Sequence, residues 1–314
     1  MLDRARKLHK AGVLGINARN RHYIMPSNPR ALYKLVDDKV LTKRLAREAG
    51  IAVPELYGLI GTVHDSQHLD NIIEGRKDFV VKPARGSGGN GILVIVDRRK
   101  DLFIKSNGAI IDADALGHHI SNILGGIYSL GGHIDQAIIE YRVHFDPVFN
   151  AISFLGVPDI RMLVYRGVPT MAMLRLPTRQ SDGRANLHQG AVGVGIDIVT
   201  GRTTFAVYKD RRIGEHPDFG TMLAGREIPA WDNLMLLSAR CYELAPLGYL
   251  GVDMVLDADL GPMVLELNAR PGLAIQIANG QGLKHRLDAI DAAGDLPASA
   301  EGRTELARTL AVTN

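Results

Sequence analysis

The stretch Lys82-Pro83-Ala84-Arg85-Gly86-Ser87-Gly88-Gly89-Asn90-Gly91 runs straight into five β-formers, Ile92-Leu93-Val94-Ile95-Val96. Gly86, Gly88 and Gly91 match the G-x-G-x-x-G spacing of a dinucleotide fold. That fold, however, needs a helix directly after the glycines so that its N-terminus faces the pyrophosphate. A β-run in that place excludes it. A Walker loop needs lysine after the last glycine, where this chain has Ile92. A protein-kinase loop does sit in a hairpin, and Asp218-Phe219-Gly220 occurs downstream, but kinases place their lysine after the loop and a His-Arg catalytic loop before the DFG. Here Lys82 precedes the loop and His285-Arg286 follows Asp218, so the DFG is coincidence. What remains is strand, glycine turn, strand, with Phe79-Val80-Val81-Lys82-Pro83 as the first strand. Its N–H groups suit phosphates, with Lys82 as a fixed charge. An ordinary glycine-rich turn beside a solvated lysine fits the same residues.

The rest of the chain repeats this antiparallel habit. Ile160 to Tyr165 and Thr170 to Leu174 flank Arg166-Gly167, and Val194 to Val199 and Thr204 to Val207 flank Thr200-Gly201, both hairpin signals. Ala137 to Tyr141 reads as a strand. Helices are expected from an Asp37 cap to Gly50, with Val40, Leu41, Leu45 and Ala49 inward, from Asp114 to about Leu124, and from Trp231 to about Leu244. The last twenty or so residues read as a polar tail. Strands before, between and after helices, mostly as hairpins, predict an α+β fold with antiparallel sheets.

Two strands near the C-terminal end carry the sharpest chemical signal: Gly251-Val252-Asp253-Met254-Val255-Leu256-Asp257 and Pro262-Met263-Val264-Leu265-Glu266-Leu267-Asn268. If Ala258 to Gly261 form the turn, Asp257 pairs with Pro262 and Asp253 falls opposite Glu266. Alternation then sets Asp253, Glu266 and Asn268 on one face with Val255 and Val264, and Met254, Leu256, Leu265 and Leu267 on the other. Two opposed carboxylates repel by about 0.2–1 kcal/mol, which a divalent cation removes. Hard oxygen ligands without a nearby His or Cys point to Mg²⁺ or Mn²⁺. His118 and His119 are adjacent on a helix, do not share a face, and make a poor metal pair.

At 314 residues, 46% of them hydrophobic, the chain can build two or three cores without disulfides or structural metal. A net charge of +3 gives no nucleic-acid-binding arm, and Cys241 is the single cysteine, so no internal disulfide forms. The basic start, Arg4 to Lys10, leads into no signal-peptide core, and no run of about 18 apolar residues occurs. A cytoplasmic protein is the expectation.

In order along the chain, from about Asn28 to Leu273, these pieces resemble the ATP-grasp superfamily and, within it, the RimK-like group of α-L-glutamate ligase-related proteins. Asp37-Asp38-Lys39 with Leu41-Thr42-Lys43 and Gly50-Ile51-Ala52-Val53-Pro54 looks like the family's D-K-x-x-T-K helix and its exit; residues 79 to 91 are similar to its phosphate lid. Ile138-Ile139-Glu140-Tyr141 resembles the adenine-holding hinge strand. Asp159-Ile160-Arg161, Met173-Leu174-Arg175 and Asn186-Leu187-His188-Gln189-Gly190 resemble the RimK patterns D-I-R, A-M-x-R and N-L-H-x-G-G. Asp253, Glu266, Asn268 and Arg270-Pro271-Gly272 look like its metal and product end.

The resemblance implies a short segment over 1–36, a lid subdomain over 37–141, a C-terminal subdomain over 142–290 and a tail over 291–314, gripping ATP between antiparallel sheets. It implies an ATP- and Mg²⁺-dependent carboxylate–amine ligase acting on small-molecule or peptide substrates through an acyl phosphate. In it Lys39, Lys82 and the loop Gly86, Ser87, Gly88, Gly89 and Asn90 hold phosphates, and main chain at Glu140 and Tyr141 reads the base. Arg161 and Arg175 meet the transferring phosphoryl group or a carboxylate, Asn186 and His188 line the site, Asp253, Glu266 and Asn268 hold metal, and Arg270 clamps a substrate carboxylate. Family members carry a βαβ domain of roughly a hundred residues ahead of the lysine helix, whereas about 36 residues precede Asp37 here; the acceptor, glutamate included, therefore stays open, as does oligomeric state. A nucleotide-binding regulatory or assembly module without ligation is the competing expectation.

Overall fold

The computed structural model describes residues 2–312 except Ser87. The chain divides into two units, the smaller made of Asp38–Arg44 and Val53–His144 and the larger of the other described residues. The helix Lys39–Glu48 gives its first residues to the one and its last to the other.

In the smaller unit six strands, β1 (Leu56–Ile60), β2 (Phe79–Pro83), β3 (Leu93–Arg99), β4 (Leu102–Lys105), β5 (Ile110–Asp112) and β6 (Ala137–Glu140), form one antiparallel sheet in the order β1-β6-β2-β3-β4-β5. The strand, glycine turn, strand reading is what the chain adopts: Phe79 lies opposite Ile95 and Val81 opposite Leu93. Those four side chains share a face and pack with Leu116, Ile120 and Ile123 of the helix Ala113–Leu124. Asp112 caps that helix, its Oδ1 accepting the Ala115 N–H at 2.8 Å.

The Lys39–Glu48 helix is capped by Asp38 rather than Asp37. Asp37 ends the preceding short helix, and a capping carboxylate must reach the second and third helical amides, which the Asp38 Oδ1 does at 3.0 Å from both Val40 and Leu41. Thr42, Lys43 and Ala46 are its buried positions, and Ala49 is exposed.

In the larger unit seven strands form the sheet β11-β10-β9-β8-β7-β12-β13. They are β7 (Asp159–Tyr165), β8 (Val168–Leu176), β9 (Val192–Ile196), β10 (Thr203–Tyr208), β11 (Arg211–Ile213), β12 (Tyr249–Asp257) and β13 (Gly261–Asn268). Every residue of β12 is buried, so both its faces are covered. The helix Trp231–Leu244 has the bounds expected of it and packs along β7, β8, β12 and β13. Residues read above as a polar tail instead form the helix Ala300–Val312, which turns Ala300, Arg303, Thr304 and Ala307 inward. Arg303 is held by the carbonyls of Gly167 at 3.1 Å and Ala239 at 3.2 Å. A face built from alanine, threonine and one arginine carries little apolar signal.

The β12–β13 register differs at its turn. Asp257 pairs with Gly261 and Leu256 with Pro262, one residue off the expected pairing, and a bulge between Asp253 and Met254 restores Asp253 opposite Glu266. Leu265 is the extra residue. The bulge also moves Val264, which lies opposite Met254 and so away from the acid face. Among the described residues no helix is long and apolar enough to cross a membrane.

Candidate active site

In the smaller unit the glycine turn is tied down at both ends. The Arg85 N–H donates to both oxygens of the buried Asp135 at 3.1 and 3.0 Å, and Asp135 also accepts from the Ser129 hydroxyl at 2.8 Å and the Gln136 N–H at 2.8 Å. Gly86 bridges Ser129. The Lys39 ammonium donates to the Gly86 carbonyl at 2.7 Å, so this lysine holds the entry of the loop. His119 Nε2 lies 3.0 Å from the Gly91 carbonyl, and Gly91 has φ +77° with the Tyr128 ring where a side chain would begin. Gly88, Gly89 and Asn90 form the tip between these anchors; Ser87 lies outside the described residues.

Lys82 ends β2 with its Nζ 2.5 Å from Glu140 Oε1, and Lys43 reaches Glu140 Oε2 at 2.8 Å and the Pro54 carbonyl at 2.8 Å. All three side chains are less than a tenth exposed. Burial alone would raise the Glu140 carboxyl, but Lys82 and Lys43 outweigh it and lower it. Glu140 therefore serves as counter-ion through its side chain. β6 is paired with β1 and β2 at Glu140, and the Tyr141 N–H donates to the Glu55 carbonyl at 2.8 Å. At Glu140 the strand is thus paired on both sides.

In the larger unit four charges interlock on one face of the sheet. Arg161 lies opposite Asp253, and Arg175 opposite Asp159. Arg161 grips Asp253 through Nε to Oδ1 at 2.6 Å and Nη2 to Oδ2; Arg175 grips Asp159 through Nε and through Nη2 at 2.5 Å, and its Nη2 is 2.9 Å from Asp253 Oδ2. Such forks are strong and direction-fixing. Burial pushes the Asp253 carboxyl up, yet Arg161 and Arg175 outweigh it and hold it at about 2. Asp159 is pushed up to about 6 by burial, opposed by Arg175, with Asp253 adding to the rise. Arg161 and Arg175, expected to meet a phosphoryl group or carboxylate, each hold a carboxylate of the chain itself.

Glu266 stands across from Asp253, and Asn268 Nδ2 is 3.3 Å from Asp253 Oδ2. Two carboxylates and an amide are hard oxygen donors of the kind Mg²⁺ takes. Among the described residues no cluster of three His, Cys, Asp or Glu side chains forms a ready metal cage. Arg270 is exposed, its guanidinium 5.1 Å from the Tyr33 ring centre.

Gly193 pairs with Arg175 and Gly195 with Met173, so both belong to the ionic face. A Cβ on Gly193 would lie 2.7 Å from Leu187 and 3.3 Å from Ala278, so glycine makes room there for the helix Ala274–Asn279 and the turn Leu187–Gln189. Asn186 caps that turn, its Oδ1 accepting the His188 N–H at 3.0 Å, and the His188 ring is exposed. Beside it opens a cavity of about 1470 Å³ lined by Ile16, Leu187, His188, Leu273, Ile277 and Arg286, among others. Its wall near the N-terminus is pinned: Leu14 exchanges hydrogen bonds with the Gln276 amide at 2.8 and 3.0 Å, and buried Arg19 donates to the Pro271 carbonyl at 2.6 Å.

Lys43, Asp135 and His119 were not among the expected site residues. The spacing Lys39, Lys43 is a one-turn repeat that sets both ammoniums on one helix face, and it is a signal that could have found the first. Nothing in the sequence marks the other two.

A family model described as sugar-transfer associated ATP-grasp matches residues 18–292. Over 261 residues the chain is 25% identical to a probable alpha-L-glutamate ligase of Maridesulfovibrio salexigens, a match covering 82% of this chain and 61% of the relative. The chain thus spans about three fifths of the length of that curated relative. A D-alanine–D-alanine ligase from Bacillus anthracis complexed with ATP is 16% identical, with 91% of this chain and 70% of that one covered and a TM-score of 0.45. A RimK domain ATP-grasp protein from Sphaerobacter thermophilus is 17% identical, with 81% and 69% covered and a TM-score of 0.43.

Proposed function

The chain belongs to the sugar-transfer associated ATP-grasp family, and on that premise we propose that it is an ATP-dependent carboxylate–amine ligase with Mg²⁺ or Mn²⁺ as its metal. The observation that carries this reading is Glu266 across from Asp253, with Asn268 beside it, on a face that also bears Arg161 and Arg175. Glu266, Asn268 and Asp253 would hold the metal, which when bound neutralises phosphate charge as the phosphoryl group moves. Phosphoryl transfer is mainly positioning and charge neutralisation, work suited to these cations.

In the proposed reaction an oxygen of a substrate carboxylate attacks the γ-phosphorus of ATP, ADP leaves, and an acyl phosphate remains. The amine nitrogen then attacks the acyl carbon, phosphate leaves, and the nitrogen loses a proton to give the amide. Lys82 and the N–H groups of the turn 86–91 bind phosphate, with Lys39 fixing the turn through Gly86, and closure of the turn keeps water from the acyl phosphate. Arg161 and Arg175 orient Asp253 and keep positive charge on the face. Arg270, exposed above Tyr33, is the proposed clamp for a substrate carboxylate.

The cavity beside His188 is the proposed acceptor site. At about 1470 Å³ it exceeds the ~300–1,000 Å³ usual for small ligands, which supports an acceptor bulkier than a free amino acid. Glutamate, named for the Maridesulfovibrio relative, is one candidate for the added group. The test is ADP and phosphate release while carboxylates are scanned against amino acids, peptides and other amines. Amine-dependent ADP release that disappears in Glu266→Ala supports the ligase.

One observation favours a binding-only regulatory module instead: both oxygens of Asp253 are engaged by guanidiniums. Tight ATP binding with no turnover on any substrate pair would select that reading.

A further inference from the structure

Two lysines share one buried glutamate in the smaller unit. Lys43 Nζ is 2.8 Å from one Glu140 oxygen and Lys82 Nζ 2.5 Å from the other, and all three side chains are nearly closed to solvent. Among these three side chains one carboxylate faces two ammoniums, one positive charge in excess. Burying an unbalanced charge is costly unless something else is built to use it. Lys82 is the member next to the glycine turn, since it ends the strand that enters the turn. Lys43 has a further acceptor in the Pro54 carbonyl, which holds it on the far side of the carboxylate.

We propose that Lys43 is a positioning residue for nucleotide binding: it neutralises Glu140, so that the charge of Lys82 is left for a phosphate. The lysine pair Lys39 and Lys43, one turn apart on the same helix face, then divides the labour. Lys39 fixes the turn through the Gly86 carbonyl, and Lys43 sets the charge of the strand that feeds it. Without Lys43, Glu140 and Lys82 form a neutral pair, and a phosphate would have to compete with the carboxylate for the remaining ammonium. This inference rests on the reading that the smaller unit binds ATP.

The experiment is calorimetric titration of the full chain with ADP and Mg²⁺. Lys43→Met is expected to weaken ADP binding at least tenfold and Lys43→Arg, which keeps the charge, no more than threefold. Lys43→Met combined with Glu140→Gln removes one charge of each sign and restores the surplus, so it is expected to bind ADP at least fivefold more tightly than Lys43→Met. A double variant as weak as the single one, or an arginine variant as weak as the methionine one, overturns the proposal, because Lys43 would then act through shape alone. Should Lys43→Met fail to melt cooperatively, the double variant is set against the unmodified chain: a loss of threefold or less supports the proposal and a loss of tenfold or more overturns it. An unmodified chain that binds neither ADP nor ATP overturns the nucleotide reading itself, and this inference with it.

Discussion

Asp253 faces Glu266 across β12 and β13, yet the two carboxylates live in different surroundings. Asp253 is buried under two guanidiniums, while Glu266 is half-buried. Their neutral amides should therefore separate stability from chemistry. Asp253→Asn leaves Arg161 and Arg175 with one carboxylate between them, and breaking a buried pair this way costs about 3–5 kcal/mol. Glu266→Gln is expected to cost under about 1 kcal/mol while reducing turnover at least a hundredfold. Urea midpoints and ADP release on both variants check this; equal destabilisation by the two would contradict it.

The pair Asp159 and Asp253 also gives the larger unit a pH signature. Asp253, held at about 2 in the fold, contributes stability that is complete above the ordinary carboxylate value of about 4 and is lost as pH falls toward 2. Asp159, raised to about 6, has the opposite sign: its contribution is complete below about 4 and is lost as pH rises through 6. The stability difference between the native chain and Asp159→Asn should accordingly shrink between pH 4 and pH 7, because only the native chain loses that contribution. Denaturation curves at both pH values measure it, and a difference that grows with pH would reverse the sign assigned to Asp159.

The glycine turn yields a third expectation. Gly91 has φ +77°, and a Cβ there would lie 2.5 Å from the Tyr128 ring. Alanine at a left-handed position costs about 1–2 kcal/mol, and here the ring must move as well, next to the Gly91 carbonyl that His119 holds. Gly91→Ala is expected to raise the KM for ATP severalfold with a smaller change in that for the amine, as steady-state kinetics with each substrate varied would reveal.

Local signals were legible where one period dominated. Phe79 to Pro83, Ala137 to Glu140 and the helix Trp231–Leu244 are short or strongly patterned, and their faces follow directly. Asp253 opposite Glu266 was also readable, although for a reason only partly visible. The turn ends one residue earlier than counted and Leu265 bulges to compensate, and leucine is an ordinary strand residue that gives no warning of a bulge. Long-range partners were the harder part. The resemblance marks Arg161 and Arg175 as cations of the expected site, but that Asp253 and Asp159 are their partners follows from strand pairing in three dimensions. Lys43 shares a helix face with Lys39, but that its partner is Glu140 follows only from where β6 joins the sheet.

The cavity proposed for the acceptor gives the last expectation. Ile277 is 48% exposed and lines the cavity from the helix Ala274–Asn279, whose Ala278 packs over Gly193 on the ionic face. Tryptophan at position 277 adds bulk to the cavity without touching the interior of the helix, so stability should change by no more than about 0.5 kcal/mol. If amines bind here, Ile277→Trp should raise the KM of bulky acceptors tenfold or more and spare small ones, with ADP affinity unchanged because Lys82 and the glycine turn, proposed to bind phosphate, belong to the smaller unit. Ranking acceptors by size against kcat/KM in both proteins tests this. A uniform loss across all sizes would locate the effect in the chemistry, and no loss at all would move the acceptor site elsewhere.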